Sequence, residues 1–462
     1  MNKISAVASK VVSRFLPDAY IFCILLTIVV FIIAMPVAGL SPIGVIQAWG
    51  DGFWSLLAFS MQMVLVLVLG NAFANAPAIK KVIDKIAGIP KSPKAAIFTV
   101  ALIGMICMWL NWGFGLVVGA LLARAVARET AKKGLKVDYR LLIATAYAPI
   151  AIWHPGVSGS IPLALAGTPE SLATVTAGAV TESVSTAQTI FAPWNLIMVA
   201  IVAIGIILVM VFSHPAEKDT VVIDASKLVD DPEPEKIKGK KTPAEALENS
   251  VIIMIITVVA GAAYIIYYFV NAGNILNALS LNIVNFIFLI LGIAFHKTPI
   301  GYVRAILDSM RGAGGIVLQF PFYAGIQGMM IAVGSTGNSV ASSISNFFVT
   351  IATTRTFGFF TYIAAGIVNF FVPSGGGQWA VQGPIMMPAG AALGVPPAIT
   401  AMGIAWGDAW TNLLQPFWAL PALGIAGLGA RDIMGYCFIA LVVSGILTAI
   451  GFLVIVPALV PM

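Results

Sequence analysis

The chain has 462 residues, 60% of them hydrophobic and only 10% charged, a balance that excludes an ordinary soluble domain and marks a polytopic membrane protein. Its formal net charge of +6 reports membrane orientation and not a nucleic-acid partner, because Lys and Arg concentrate in loops between apolar runs. Cys23, Cys107 and Cys437 lie far apart within apolar segments, which excludes a disulfide framework or a metal-ligand spacing.

Lys3, Lys10 and Arg14 place the N-terminus in the cytoplasm. The apolar run from Ala19 to Met35 is too long for a signal peptide and lacks a small-residue cleavage site, so it reads as the first span. A second span carries Gln62, and Lys80, Lys81, Lys85, Lys91 and Lys94 return the chain to the cytoplasm. The next basic cluster, Arg124, Arg128, Lys132, Lys133, Lys136 and Arg140, is cytoplasmic by the same rule. Residues 95–123 must therefore leave and return, a stretch too short for two spans of about 20 residues each. This predicts a re-entrant hairpin with its tip at NWGFG, residues 111–115. A later apolar segment is broken by WHPGVSGS, residues 153–160, and the loop Thr168 to Thr189 holds Glu170 and Glu182 without Lys or Arg, as an external loop should. A span over 190–213 leads to residues 214–248, whose DDPEPEKIKGKK has the composition of a solvated cytoplasmic linker.

Beyond this linker and a connecting span at 249–272, the landmarks recur. Asp51 and Asp308, Gln62 and Gln319, and Ser158 and Gln415 are each 257 positions apart, and Asn111 and Asn369 are 258 apart. One extra span between the copies inverts the second, in keeping with Arg304 and Arg311 preceding the Gln319 span where Asp51 precedes the Gln62 span. The expected fold is an all-α polytopic membrane protein with two inverted-topology repeats, residues 1–213 and 273–462. Each has a re-entrant hairpin and a discontinuous transmembrane helix, the second copy with its tip at 369–377 and its break at 406–416. Such pairs mark secondary transporters with a site near the bilayer midplane.

In hydrocarbon each unsatisfied backbone group costs several kcal/mol, so broken helices must face protein or a water-lined cavity. In NFFVPSGGGQW, residues 369–379, Pro373 ends one half-helix, and Gly375 to Gly377 free the backbone to aim N–H groups at an anion beside the next helix N-terminus. Asn111, Ser158, Ser160, Asn369, Ser374, Gln378, Asn412 and Gln415 supply neutral donors and acceptors. No Lys or Arg occurs inside an apolar core segment, so one carboxylate suits the site better than two, with its tail against Trp112, Phe114, Trp379, Trp406 or Trp410. His154 and Asp408 are the two ionisable side chains deep in the spans, and with Asn412 they are the candidates for cation coupling. An interior-negative membrane opposes monoanion entry by about 2.3 kcal/mol per charge per 100 mV, so uptake needs a co-moving cation. That ion is H+ on Asp408 or Na+ near Asn111 and Asn369; no other cofactor is expected.

The stretches WGDGFWSLLAFSMQM (49–63), NWGFGLVVGALLAR (111–124), LQFPFYAGIQGMM (318–330), NFFVPSGGGQWAVQGP (369–384) and QPFWALPALGIAGLGARDIMGYC (415–437) together resemble the AtoE-like short-chain fatty acid transporters of bacteria. The resemblance runs in order over nearly the whole chain. It implies a branch of the ion-transporter superfamily, a homodimer in the cytoplasmic (inner) membrane with paired hairpins and elevator-type motion, and a short-chain monocarboxylate substrate such as butyrate or acetoacetate. Carried onto this chain, it points to Asn111, Gly113, Asn369, Ser374, Gly375 and Gly376. The rival readings are a related carrier of an amino acid or dicarboxylate, a channel, and an intramembrane protease built on the GxSG form of residues 156–159 with Ser158 as nucleophile. On this reading the protein is a transporter and not an enzyme.

Overall fold

The computed structural model describes residues 19–223 and 242–461, apart from residues 274, 371 and 373. Lys3, Lys10, Arg14, Pro373 and the DDPEPEKIKGKK stretch lie outside the described residues.

The described chain is all helical, with no strand among those residues. Helix α1 (Ala19–Ala34) continues to Gly39 and meets α2 (Pro42–Gly52) at a bend of 118°. Ser41 caps α2 by accepting from the Gly44 N–H, and Pro42 occupies the first turn, where its missing N–H costs nothing. Then follow α3 (Leu57–Ala74), α4 (Pro77–Ala87), the hairpin arms α5 (Pro93–Leu110) and α6 (Trp112–Lys132), α7 (Tyr139–Tyr147) and the short α8 (Ser160–Leu165) and α9 (Pro169–Val175). The first half closes with α10 (Pro193–Phe212). Helices α11 (Pro243–Glu248) and α12 (Val251–Asn271) form one apolar stretch of 29 residues from Pro243 to Asn271.

The second half runs through α13 (Ile275–Ala278), α14 (Leu281–His296), α15 (Pro299–Met310), α16 (Gly314–Ile331) and α17 (Val340–Ile351). Its hairpin arms are α18 (Phe357–Asn369) and α19 (Gly375–Ala392), followed by α20 (Pro397–Thr411), α21 (Pro416–Ala426), α22 (Ala430–Ile450) and the terminal turn α23 (Val456–Leu459). Element boundaries repeat the spacing of the landmarks: both ends of α16 stand 257 positions after those of α3. Helix α15 begins 257 positions after α2 with the same cap, Thr298 accepting from the Gly301 N–H ahead of Pro299.

Among the described residues five helices are long and apolar enough to cross a membrane: Leu57–Ala74, Pro93–Leu110, Pro193–Phe212, Pro243–Asn271 and Ala430–Leu459. Together with the bent α1–α2 pair they describe a multi-pass membrane protein. The first hairpin is longer than the charge pattern implied, with arms of 18 and 21 residues. Arg124, Arg128 and Lys132 lie on the second arm and not beyond it, where Arg128 pairs with Asp84 and Lys132 with Glu129. Paired charge lets the helix run on past the apolar stretch, so counting residues between basic clusters understates its length.

Helices α18 and α20 pack nearly backbone to backbone. A Cβ added at Gly407 would lie 2.3 Å from Tyr362 O and 2.6 Å from Ala365 Cβ, so small residues set this approach. That contact holds the second hairpin against the second broken helix.

Candidate functional site

The first hairpin turns on one residue. Asn111 leaves α5 in extended geometry and caps α6, its Oδ1 accepting from the Phe114 N–H at 2.9 Å. Asn111 is 1% exposed, and its Nδ2 has no hydrogen-bond partner among the described residues. The break after α7 packs on this tip: the Val157 N–H donates to Trp109 O at 2.7 Å, and the Trp112 N–H donates to Ser158 Oγ at 2.9 Å.

The second hairpin divides the same tasks between two residues. Asn369 ends α18, and its Nδ2 lies within hydrogen-bond distance of Asp408 O (3.0 Å), Thr411 Oγ1 (2.9 Å) and Asn412 Oδ1 (2.8 Å). Gln415 Nε2 returns to Asn369 O at 2.9 Å, and the Tyr147 hydroxyl donates to Gln415 O at 3.1 Å. Ser374 caps α19, accepting from the Gly377 N–H. The glycines after it form the first turn of a regular helix, and their missing side chains make room for neighbours. A Cβ on Gly375 would fall 2.5 Å from His154 Cε1 and 2.7 Å from Ser160 Oγ, and one on Gly377 would fall 2.4 Å from Tyr323.

His154 and Asp408 join the halves. His154 Nδ1 lies 2.8 Å from Asp408 Oδ2, and both side chains are fully buried. On the far edge of the ring, Nε2 lies 2.8 Å from Ser160 Oγ and 3.1 Å from the Ile161 backbone nitrogen. An amide N–H only donates, so Nε2 carries no proton, and Nδ1–H donates to Asp408. Trp153 stacks on the imidazole with ring centroids 4.0 Å apart. Asn412 Nδ2 also reaches Asp408 Oδ2, at 3.3 Å, while Asp408 Oδ1 and Asn369 Oδ1 have no donor among the described residues.

The comparisons with known proteins agree with this architecture. The chain matches the short chain fatty acid transporter family over residues 1–455. The chain belongs to that family. A protein of Escherichia coli strain K12 provisionally named a short-chain fatty acid transporter is 43% identical over 457 residues, 98% of this chain and 99% of that one. A Haemophilus influenzae protein with the same provisional name is 40% identical over 455 residues, again 98% and 99% of the two chains. The YdaH transporter of Alcanivorax borkumensis, whose crystal structure is described as having an unusual topology, superposes with a TM-score of 0.60 over 94% of this chain and 98% of its own. At 14% identity it is a likeness of fold alone.

Within this family member, the structure joins the Asn111 tip to Ser158 through the Trp112 N–H, and brings together His154 with Asp408, Asn412, Asn369, Gln415, Ser160 and the Gly375 backbone. Gly376 backs onto Phe59 and Phe320, and Gly113 onto the Val66 and Leu67 carbonyls of α3. Gln378 spans its own hairpin, with Nε2 donating to Ala365 O and Gln382 Oε1. Of the proposed tail residues, Trp406 donates to Asn195, Trp410 to Leu441 O, and Phe114 stacks on Phe73. These are packing roles; Trp112 contacts the break, through Trp153. The serine at the histidine is Ser160, and Ser158 is occupied by the Trp112 N–H, so the GxSG reading lacks its base. Sequence reasoning missed Asn195, whose Nδ2 donates to Pro155 O while its Oδ1 accepts from Trp406, and Tyr147. A lone Asn at the start of an apolar span is the signal that would have found the first.

Proposed function

We propose that the protein carries short-chain monocarboxylates of the butyrate or acetoacetate type across the bacterial cytoplasmic membrane, with its N-terminus inside, driven by co-transported H+. The observation that carries the substrate class is the family match along 455 residues, with relatives at 43% and 40% identity end to end. The geometry supports a single carboxylate. Asn111 Nδ2 is a buried donor without a partner, a condition costing about 1–3 kcal/mol that an arriving anion relieves. It stands at a helix N-terminus with Ser158 beside it. The start of α19, with Ser374, Gly375 and Gly376, adds backbone N–H groups from the opposite hairpin.

Cation coupling is assigned to Asp408 with His154 and Asn412. Its unpartnered Oδ1 is an acceptor in a buried setting, where a proton is the smallest group that satisfies it. Alternating access by elevator-type motion, inverted repeats and a homodimer complete the proposal; the matched boundaries of α2 with α15 and α3 with α16 support the repeat. A second reading has one observation in its favour. A protein of Escherichia coli provisionally named a basic amino acid antiporter is 30% identical over 97 residues, 21% of this chain. An amino group would need a free carboxylate, whereas Asp408 Oδ2 is already engaged by His154 and Asn412.

Uptake of labelled butyrate into proteoliposomes, with proton and sodium gradients imposed separately, tests the proposal. Accumulation driven by the proton gradient and competed by acetoacetate but not by succinate or amino acids is the expected result. Accumulation driven by sodium alone would move the coupling ion, and uptake of an amino acid instead of butyrate would overturn the substrate.

A further inference from the structure

We propose that α4 and the turn into α5 form a binding surface for anionic phospholipid headgroups, held by Lys80, Lys81, Lys85, Lys91 and Lys94. The inference needs only that the chain spans a membrane, and it is independent of the substrate and the coupling ion. Span α3 ends at Ala74 and span α5 begins at Pro93, so residues 75–92 lie where the chain leaves the hydrocarbon. Lys94 marks the same level from a third span: its Nζ stands 5.3 Å from the centroid of the Phe212 ring, at the end of α10.

Positive charge beside spans reports orientation in general, but the two basic clusters next to the first hairpin are used differently. On α6, Arg128 pairs with Asp84, Lys132 pairs with Glu129, and Lys133 Nζ donates to Gly88 O and Pro90 O. The five lysines between 80 and 94 are all exposed, and none of them forms an ion pair among the described residues. Asp84, the one acid in residues 75–94, is taken by Arg128. Lys81 and Lys85 stand one turn apart, opposite the face of α4 that buries Ile83 and Ala87. Val82 and Ile89, 53% and 63% exposed, interleave apolar side chains with these cations, as in helices that lie in the headgroup layer. Lys94 occupies the first turn of α5, which holds no acidic residue and where the helix dipole favours an anion over a cation. A lipid phosphate supplies that anion and relieves the repulsion among five like charges. Because α4 and its following turn also grip α6 through Arg128 and Lys133, headgroups bound here brace the base of the first hairpin.

Electron paramagnetic resonance of trace spin-labelled lipids tests this surface, using full-length protein in nanodiscs made of equal parts phosphatidylcholine and phosphatidylglycerol. One lysine near an anionic surface confers roughly a fivefold preference, so the wild type should associate with phosphatidylglycerol at least about five times more strongly than with phosphatidylcholine. The combined Lys80→Gln, Lys81→Gln, Lys85→Gln, Lys91→Gln and Lys94→Gln variant should bring that ratio towards one, and Arg at the same five positions should keep it. Should the Gln variant not fold, the wild type carries the test alone: going from about 0.01 M to 1 M salt shortens the Debye length from about 30 Å to about 3 Å and should abolish the preference. Phosphatidylglycerol should also raise the unfolding midpoint of the wild type. A wild-type ratio near one at low salt, or an undiminished ratio in folded Gln variant, would overturn the proposal. Equal stabilisation by millimolar inorganic phosphate in pure phosphatidylcholine discs would overturn the lipid as occupant.

Discussion

The two hairpin tips stand at matched places in the chain and solve the same covalent problem in opposite ways. At the first, Asn111 both ends one arm and caps the next, leaving an amide N–H group unpartnered. At the second, Ser374 takes over the cap, and the Asn369 amide is saturated by the broken helix while its oxygen is left over. One tip thus retains a spare donor and the other a spare acceptor beside Asp408. The difference fits the proposed division of labour, in which the tip with a spare donor receives the anion and the tip with a spare acceptor receives the proton.

The strongest way to break this contrast is at Asp408. Asp408→Asn keeps the shape but removes the charge that His154 Nδ1–H and Asn412 Nδ2 address. A charge-assisted hydrogen bond is worth about 1.5–3 kcal/mol, so gradient-driven accumulation of butyrate should fall about 10- to 100-fold. Unaltered accumulation in Asp408→Asn proteoliposomes would remove the cation role from the second tip. Next in size is Gly375→Ala, whose Cβ would meet His154, Ser160 and Trp153 within 2.8 Å. Overpacking of this kind costs about 1–3 kcal/mol. It should lower both the unfolding midpoint and the uptake rate, and a variant with wild-type values of both would show that the tip has room to spare.

The same substitution at the two asparagines sharpens the comparison. Asn111→Asp preserves the cap, since Asp accepts from the Phe114 N–H as well as Asn does. It deletes the spare donor, so the KM for butyrate should rise about tenfold, with folded yield unchanged. Asn369→Asp deletes a donor that already has three acceptors around it and leaves them facing a carboxylate. It should destabilise the protein by about 1–3 kcal/mol before any transport is measured. Equal effects of the two variants on thermal unfolding in nanodiscs would erase the distinction.

Much of the architecture was legible because hydrocarbon enforces it. A Pro, Ser and Gly cluster inside an apolar run has to face protein or a cavity, and the Trp112 N–H does meet Ser158 while Gly375 lies against Trp153, His154 and Ser160. The pairing of His154 with Asp408 was not legible: the residues are 254 positions apart in different halves, and it takes the packing of α8 and of the turn at Ala148–Ile152 against α20 to join them. Nor was the meaning of the glycines at 375–377. In sequence they suggest an irregular loop, whereas Ser374 starts a helix there and the missing side chains admit Trp153, Phe320 and Tyr323. The length of the first hairpin escaped for an electrostatic reason, since Arg128 is neutralised by Asp84 from another helix.

The smallest effect is expected far from either tip. Glu217 lies on the chain leaving α10, and its carboxylate meets Lys136 Nζ at 2.7 Å; both side chains are well exposed, at 75% and 61%. The Lys136 hydrogen bond and charge hold Glu217 below the usual carboxylate range, so what the pair contributes is present at neutral pH and lost as pH falls through that lowered value. Solvent screens an ion pair this open, and Glu217→Gln should leave the unfolding midpoint and the butyrate KM where they are, at pH 7 and at pH 5 alike. A loss of uptake in this variant comparable to that of Asn111→Asp would mean that the loop between α6 and α7 governs the first tip from outside the membrane. The contrast between the two hairpins could then no longer be read from their tips alone.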